Sequence, residues 1–329
     1  MLADVVVDLQ YGDCGKGKVT NHLCKTEDYT HVIRYNGGCN AGHTIYHNGR
    51  KVITHHIPAG VLHGIKSIIG PGCVVFPDQF FAEIKELEEA GIPARRFVGI
   101  ASNTHVITRD HLDEDGKDSA IGTTKRGNGP AYRDKYARSG VRAESVPELQ
   151  EFIVDIYDEL HNQTEEVKIL FEGAQGFGLD VDWGDYPYVT SSHCTSASAL
   201  LNGVPPQSIR NIYGVAKMYE TYVGAKSFHG EGKIFDMLRD AGEEYGATTG
   251  RPRQCNWMNW ELLTKAININ GVTDLILNKV DVLEEVDTFK MIKDEKVMEF
   301  KCLTSMQHFI TKNVKKDVNV VFSSNKETI

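Results

Sequence analysis

The nonapeptide Gln10-Tyr11-Gly12-Asp13-Cys14-Gly15-Lys16-Gly17-Lys18 lies between an apolar run, Val5 to Leu9, and a stretch able to be helical, Lys18 to Lys25. A glycine-rich turn between a strand and a helix can cradle phosphate. The glycines let backbone N–H groups approach the anion, and lysines and the helix N-terminus add positive charge. The spacing Gly12-x-x-x-x-Gly17-Lys18 follows the phosphate-loop pattern as far as the lysine. Val19 then stands where a Ser or Thr hydroxyl would meet Mg²⁺, while an acid, Asp13, lies inside the loop.

Asn278-Lys279-Val280-Asp281 closes the apolar run Leu275–Leu277. An Asp placed there can accept from N1–H and N2–H₂ of guanine, an edge adenine does not offer, with the Lys stem against the flat base. Alone the tetrapeptide also fits a plain strand end; beside a phosphate loop it reads as guanine recognition. Tyr35 to Thr44 sets Asn36, Asn40, His43 and Thr44 among three glycines, which favours His43 as a catalytic group over a loop histidine. Thr123 and Thr124, with the amides beside Gly122, can hold a second phosphate. Gln175 follows a buried run, Val167–Phe171, a natural place for a side chain that reads a ligand edge. Gly246 to Arg253 joins hydroxyls, glycines and two forked cations, a loop suited to a dicarboxylate.

Eight apolar, β-rich runs can position these groups: Val5–Leu9, His31–Tyr35, Lys66–Ile69, Val98–Ile100, Val167–Phe171, Ile212–Ala216, Asp274–Leu277 and Val318–Phe322. Continuous apolar runs suit strands covered on both faces. Asp78 is expected to cap a helix with Phe81, Ile84 and Leu87 on one face, stopping at Gly91. Ser145-Val146-Pro147-Glu148 reads as a capping box opening a helix that stripes Leu149, Phe152, Ile153, Ile156 and Leu160. The fold class expected is α/β, a mostly parallel central sheet with flanking helices and a phosphate-loop-like nucleotide site. Val286–Glu299, charged and weakly patterned, reads as a surface excursion without chemistry of its own.

The chain has 329 residues, 25% of them charged, and a formal net charge of −9, which argues against a general nucleic-acid or membrane surface. No apolar run is long enough to span a bilayer, and a strand begins almost at once, so no signal peptide is expected. Seven scattered cysteines without a C-x-x-C pair point to a reduced, cytoplasmic protein without structural zinc.

Taken in order, QYGDCGKGK, NGGCNAGHT, IGTTKRGNGPAYRDKYARSG, FEGAQG, DYPYVTSS, GATTGRPR and NKVDVL resemble adenylosuccinate synthetases over nearly the whole chain. The resemblance implies one domain over residues 1–329, with a shortened helical excursion at about 140–165 and a shortened C-terminal part. It implies a homodimeric ligase that joins L-aspartate to the 6-position of a purine nucleotide, with GTP as co-substrate and Mg²⁺ as cofactor. Asp13 would be the base at purine N1 and a Mg²⁺ ligand, and His43 the acid at the migrating phosphoryl group. Lys16 would serve in catalysis and, with Gly12, Cys14, Gly15, Gly17, Lys18, Gly42, His43, Thr44 and Ser323, in holding GTP. The Gly42 carbonyl would be a second Mg²⁺ ligand. Asn278, Lys279 and Asp281 would hold the guanine. Asp13, Asn40, Thr123, Thr124, Gln175, Thr190 and Arg251 would bind the acceptor nucleotide, with Arg138 reaching it from the partner subunit. Thr248, Thr249, Arg251 and Arg253 would meet the aspartate.

The chain departs from the family pattern at Asp8, where a small residue is usual, and at Tyr11 and Cys14, where Trp and Glu are usual. Pro252 and Gln254 interrupt the arginine run, Tyr222 stands for an arginine, and Ser227-Phe228-His229-Gly230 replaces a proline-rich turn. The short length and the VDLQYG start are similar to viral members that act on dGMP and make N6-succino-2-amino-2′-deoxyadenylate, in which case the host cytoplasm is the compartment. A carboxylate lost at position 14 would free space near a purine 2-amino group, so the expectation leans to dGMP, with IMP as the alternative acceptor. A non-catalytic GTP-binding module is a further alternative, opposed by the presence of both Asp13 and His43.

Overall fold

The computed structural model describes residues 1–47, 49–117, 122–246, 250–324 and 329. Nine strands form the central sheet: β1 (Leu2–Asp8), β2 (His31–Arg34), β3 (Lys66–Ile69), β4 (Val98–Ala101), β5 (Ile153–Val154), β6 (Lys168–Glu172), β7 (Ile209–Lys217), β8 (Asp274–Asn278) and β9 (Asn319–Phe322). Their order is β9-β8-β7-β1-β6-β2-β3-β4-β5, and every neighbouring pair is parallel. All eight apolar runs read from the sequence fall on strands of this sheet. β1 is buried along Ala3–Asp8, which explains its nearly unbroken Val-rich core.

The order explains the site. Chain connectivity runs away from β1 in both directions, so the C-terminal ends of β1, β6, β2, β7, β8 and β9 open on one crevice. Open parallel sheets bind ligands there. Val6 pairs with Glu172 and Lys217 with Asn278, which brings separate sequence blocks to one edge.

Two helical readings need correction. The stripe Leu149 to Leu160 is not one helix. It is a 3₁₀ segment (Pro147–Phe152), the edge strand β5, and a short helix (Ile156–His161) whose N-cap, Asp155, accepts from the Tyr157 and Asp158 amides. The Ser145 hydroxyl donates to the Arg142 carbonyl instead of capping. The stripe also serves two cores, Leu149 and Phe152 in one, Ile156 and Leu160 in another. The helix Pro77–Glu89 does bury Phe80, Ile84 and Leu87, with Phe81 half-buried, but its N-cap is Phe76 and Pro77 opens it, so Asp78 sits in the first turn.

Val286–Glu299 is not a mere excursion either. It contains a hairpin, Lys290–Lys293 with Lys296–Glu299, which extends a four-stranded sheet and buries Met291 completely. Cys302 is exposed, and the other six cysteines are buried and unpaired.

Candidate active site

A cleft of about 1010 Å³ opens at the C-terminal edge of the sheet. Its wall includes the loop Gly12–Lys18, the segment Asn40–Thr44, Thr123 and Thr124, Gln175 and Thr190, Arg251 and Arg253, and Asn278, Lys279 and Asp281. Seven blocks scattered over the chain therefore meet in one place.

The phosphate loop leads from β1 into the helix α1 (Lys16–Thr26). Gly12, Asp13 and Gly15 have φ of 90°, 58° and 100°. At Gly15 a Cβ would come within 2.7 Å of the Asn278 amide nitrogen, so glycine is required there. That nitrogen donates to the Cys14 carbonyl at 2.7 Å, tying the phosphate loop to the end of β8. Asp8 is buried beneath the loop and accepts from the amides of Gln10, Gly12 and Cys14. The Lys16 ammonium is buried between Asp8, at 3.1 Å, and the Gln175 carbonyl, at 2.5 Å.

Cys14 lines the cleft through its place in the loop, but its side chain is only 2% exposed. The thiol lies 3.1 Å from Gln10 Oε1 and 3.4 Å from the Gly12 carbonyl, and it packs in a core cluster with Val6, Val19 and Leu23. Burial pushes its pKa well up. The expectation that position 14 opens space beside a purine edge is corrected: the side chain faces the core.

His43 begins the strand His43–His47 and is 7% exposed. Its Nδ1 is in close contact with Glu172 Oε1, and Arg34 Nη1 lies 3.5 Å from its Nε2. Arg34 also donates to Glu172 Oε1 at 3.0 Å, and the Ala59 amide to Oε2 at 2.8 Å. Burial and the Arg34 charge lower the His43 pKa to about 4, against the pull of Glu172. The Arg34 charge and the hydrogen bonds from His43 and the Ala59 amide hold Glu172 down at about 2 despite its burial. In this state His43 is neutral, with the Nδ1 proton toward Glu172. A negative group arriving at Nε2 favours the imidazolium, which Glu172 is placed to stabilise. Sequence reading missed Glu172 and Arg34; they end β6 and β2, where a charged residue after an apolar run was the available signal.

Asp13 is 40% exposed, and its Oδ2 lies 3.0 Å from Arg253 Nη2. Arg253 is gripped from behind by Glu244 at 2.6 Å, and Glu244 is held by Lys217 Nζ at 3.0 Å and by the Tyr219 hydroxyl at 2.6 Å. Glu244 and Lys217 are each 1% exposed. The Lys217 and Arg253 charges outweigh burial and lower the Glu244 pKa to about 2. Neither Lys217 nor Glu244 stands in a sequence motif, so the sequence alone does not mark either.

At the other end of the cleft, Lys279 has φ 64° and its ammonium donates to the Gly242 carbonyl at 2.7 Å. Lys18 donates to the Ser323 hydroxyl at 2.8 Å, and burial lowers its pKa to about 8. Ser323 thus contacts Lys18, while its neighbour Ser324 lines the cleft. On the acceptor side, Gln175 Nε2 donates to Asn40 Oδ1 at 3.0 Å, as does the Gly38 amide at 3.2 Å. Gln175 Oε1 is buried without a hydrogen-bond partner among the described residues. Arg138 stands apart: it is exposed at the C-terminal end of the helix Asn128–Ala137 and is not part of the cleft wall. Thr248 and Thr249 lie outside the described residues.

Among the described residues no group of three His, Cys, Asp or Glu side chains is arranged to hold a metal alone. The half-exposed Asp13 carboxylate and the Gly42 backbone line the same cleft. One carboxylate with a carbonyl fits Mg²⁺, a hard cation that takes much of its shell from phosphate and water. No helix among the described residues is long and apolar enough to cross a membrane.

The adenylosuccinate synthetase family model matches residues 5–152 and 143–323. An adenylosuccinate synthetase of Xylella fastidiosa (strain M12) is 40% identical over 341 residues, covering 87% of this chain and 79% of that protein. One of Caldanaerobacter subterraneus subsp. tengcongensis is 38% identical over 352 residues, covering 90% and 82%. Among solved structures, the fully ligated adenylosuccinate synthetase of Plasmodium falciparum matches with a TM-score of 0.79 at 29% identity, over 91% of this chain and 83% of that one. The succinoaminodeoxyadenylate synthetase of cyanophage S-2L, bound to dGMP and dATP, matches with a TM-score of 0.72 over 94% and 99%. At 21% identity that likeness speaks for the fold alone. The chain belongs to the adenylosuccinate synthetase family of GTP-dependent ligases that form a carbon–nitrogen bond.

Proposed function

We propose that the protein joins L-aspartate to carbon 6 of inosine monophosphate, with GTP as phosphoryl donor. The carrying observation is the convergence of Asp13, the His43–Glu172 pair and Asn278–Asp281 on one cleft. Asp13 takes the N1 proton, which makes O6 a nucleophile toward the γ-phosphoryl group. The O6–phosphorus bond forms as GDP leaves, and His43, protonated against Glu172, stabilises the negative charge in passage. The aspartate amine then bonds to carbon 6 and phosphate departs with O6. Arg251 and Arg253 receive the aspartate carboxylates, with Thr248 and Thr249. Asn40, Thr123, Thr124, Gln175 and Thr190 hold the acceptor, with Arg138 acting across a homodimer. Asn278, Lys279 and Asp281 hold the guanine of GTP. Asp13 and the Gly42 carbonyl would hold Mg²⁺, which supplies charge neutralisation on the phosphates when bound. Positioning and charge neutralisation are the main sources of acceleration in phosphoryl transfer.

IMP is preferred to dGMP as acceptor for two reasons. The relatives at 38–40% identity are adenylosuccinate synthetases. The buried Cys14 side chain removes the physical ground for a 2-amino pocket. Purified protein with GTP, Mg²⁺ and aspartate, offered IMP, GMP and dGMP in turn, tests this. Fastest phosphate release with IMP is expected; faster turnover of dGMP overturns the acceptor assignment. Hydrolysis of GTP at the same rate without acceptor or aspartate overturns the ligase reading itself.

A further inference from the structure

We propose that Asp8 is a positioning residue for phosphoryl transfer, holding the Lys16 ammonium at the boundary between the two nucleotides. Asp8 ends β1 and is 1% exposed. Its Oδ1 accepts from the Gln10 amide at 3.0 Å and the Gly12 amide at 3.2 Å. Its Oδ2 accepts from the Cys14 amide at 3.1 Å and from Lys16 Nζ at 3.1 Å. Four hydrogen bonds thus satisfy one buried carboxylate, and three of them shape the turn that precedes α1. Room for this carboxylate depends on Gly176, where a Cβ would come 2.6 Å from Asp8 Oδ1 and 2.5 Å from the Gly12 amide.

Lys16 is held from two sides. The second partner, the Gln175 carbonyl, belongs to the residue whose amide grips Asn40 on the acceptor side. The ammonium therefore lies between the GTP loop and the acceptor wall. Without the carboxylate, a buried cation loses its countercharge and is free to settle on ground-state phosphate. That change costs turnover rather than GTP affinity, because only contacts made better in the transition state raise the rate.

The neighbourhood offers an internal control. The Cys14 amide donates to the same Asp8 Oδ2 that holds Lys16 Nζ, each at 3.1 Å, so a carboxylate grown from position 14 can replace one removed from position 8. The inference rests on Lys16 acting at the phosphoryl group, as the ligase reading has it.

The experiment is steady-state phosphate release by the full-length protein with GTP, Mg²⁺, aspartate and IMP, alongside thermal unfolding. Asp8→Asn keeps the shape and one acceptor oxygen. It is expected to lower kcat roughly 10–100-fold, as a misplaced group does, with the KM for GTP within about threefold. Asp8→Gly is expected to lose as much. Adding Cys14→Glu to Asp8→Gly is expected to recover at least about tenfold of kcat, a coupling a remote structural defect would not show. Wild-type kcat in Asp8→Asn overturns the inference. So does a double variant no faster than Asp8→Gly. Lys16→Gln separates the two readings: if it turns over normally, the role of Lys16 fails; if it is inactive while Asp8→Asn is normal, only the role of Asp8 fails.

Discussion

Arg253 Nη2 lies 3.0 Å from Asp13 Oδ2, so the residue assigned to take the purine proton is held by the residue assigned to receive aspartate. The arrangement joins the sites assigned to the two substrates in one cleft. Arg253 is anchored through Glu244 and Lys217, and its two terminal nitrogens serve different carboxylates. On the proposed assignment, an incoming aspartate carboxylate would compete with Asp13 for one of them.

Asp13→Asn keeps the size of the side chain and removes both its basicity and its charge. Ligation is expected to fall by about 10²–10⁴-fold, the usual cost of losing a general base, while GTP still binds. Phosphate release and calorimetric GTP titration check the two halves; retained turnover refutes the base assignment.

Arg253→Lys keeps the charge but loses the planar fork that reaches Asp13 and Glu244 together. The KM for aspartate is expected to rise roughly tenfold or more, since a paired, charge-assisted contact is lost. The KM for GTP is expected to hold. Initial rates with each substrate varied in turn show the difference, and a rise confined to GTP contradicts the assignment.

Much of the sheet was legible because strands covered on both faces need an apolar centre, and Val5, Val6 and Val7 in β1 and Leu275, Ile276 and Leu277 in β8 carry that mark. Ile153–Val154 was not, because Leu149, Phe152, Ile156 and Leu160 recur at helical spacing while packing into two separate cores. The phosphate loop and Asn278–Asp281 were legible as local motifs whose chemistry depends on close spacing. Glu172 and Glu244 were not, because Glu172 acts on His43 and Glu244 is held by Lys217, partners distant in sequence that only the fold supplies.

Glu172→Gln tests whether His43 is tuned by its neighbour. An amide accepts the Nδ1 proton but cannot stabilise an imidazolium, so turnover is expected to drop roughly 10²-fold. The alkaline limb of the kcat profile, where His43 loses the proton it needs, should also move to lower pH, because the imidazolium loses its counter-anion. An unchanged pH profile shows that Glu172 serves packing alone.

Asp281→Asn replaces a double acceptor by a group that also donates. Guanine then loses one of its two hydrogen bonds, and xanthine, which presents a carbonyl at position 2, gains a partner. The KM for GTP is expected to rise roughly 10²-fold, with xanthosine triphosphate becoming the better donor. Initial rates with both triphosphates decide; unchanged GTP use places guanine recognition elsewhere.

His56 is 2% exposed, its Nε2 accepts from the Phe76 amide at 3.2 Å, and burial lowers its pKa from 6.5 to about 3. The folded chain therefore keeps it neutral while the unfolded chain takes up a proton below pH 6.5. Its stabilising contribution is complete above pH 6.5 and is lost as pH falls from there toward 3. Glu83 and Glu220, raised by burial to about 7 and about 8, act in the opposite direction, binding protons in the folded state first. The whole-protein slope mixes these signs, so the informative quantity is the difference between wild type and His56→Gln. That stability gap, from urea unfolding at several pH values, is expected to narrow between pH 7.5 and pH 5. Below pH 6.5 the narrowing should approach, and not exceed, about 1.4 kcal/mol per pH unit, the limit for one proton. A gap that stays constant or widens over that range shows that His56 is protonated in the folded protein.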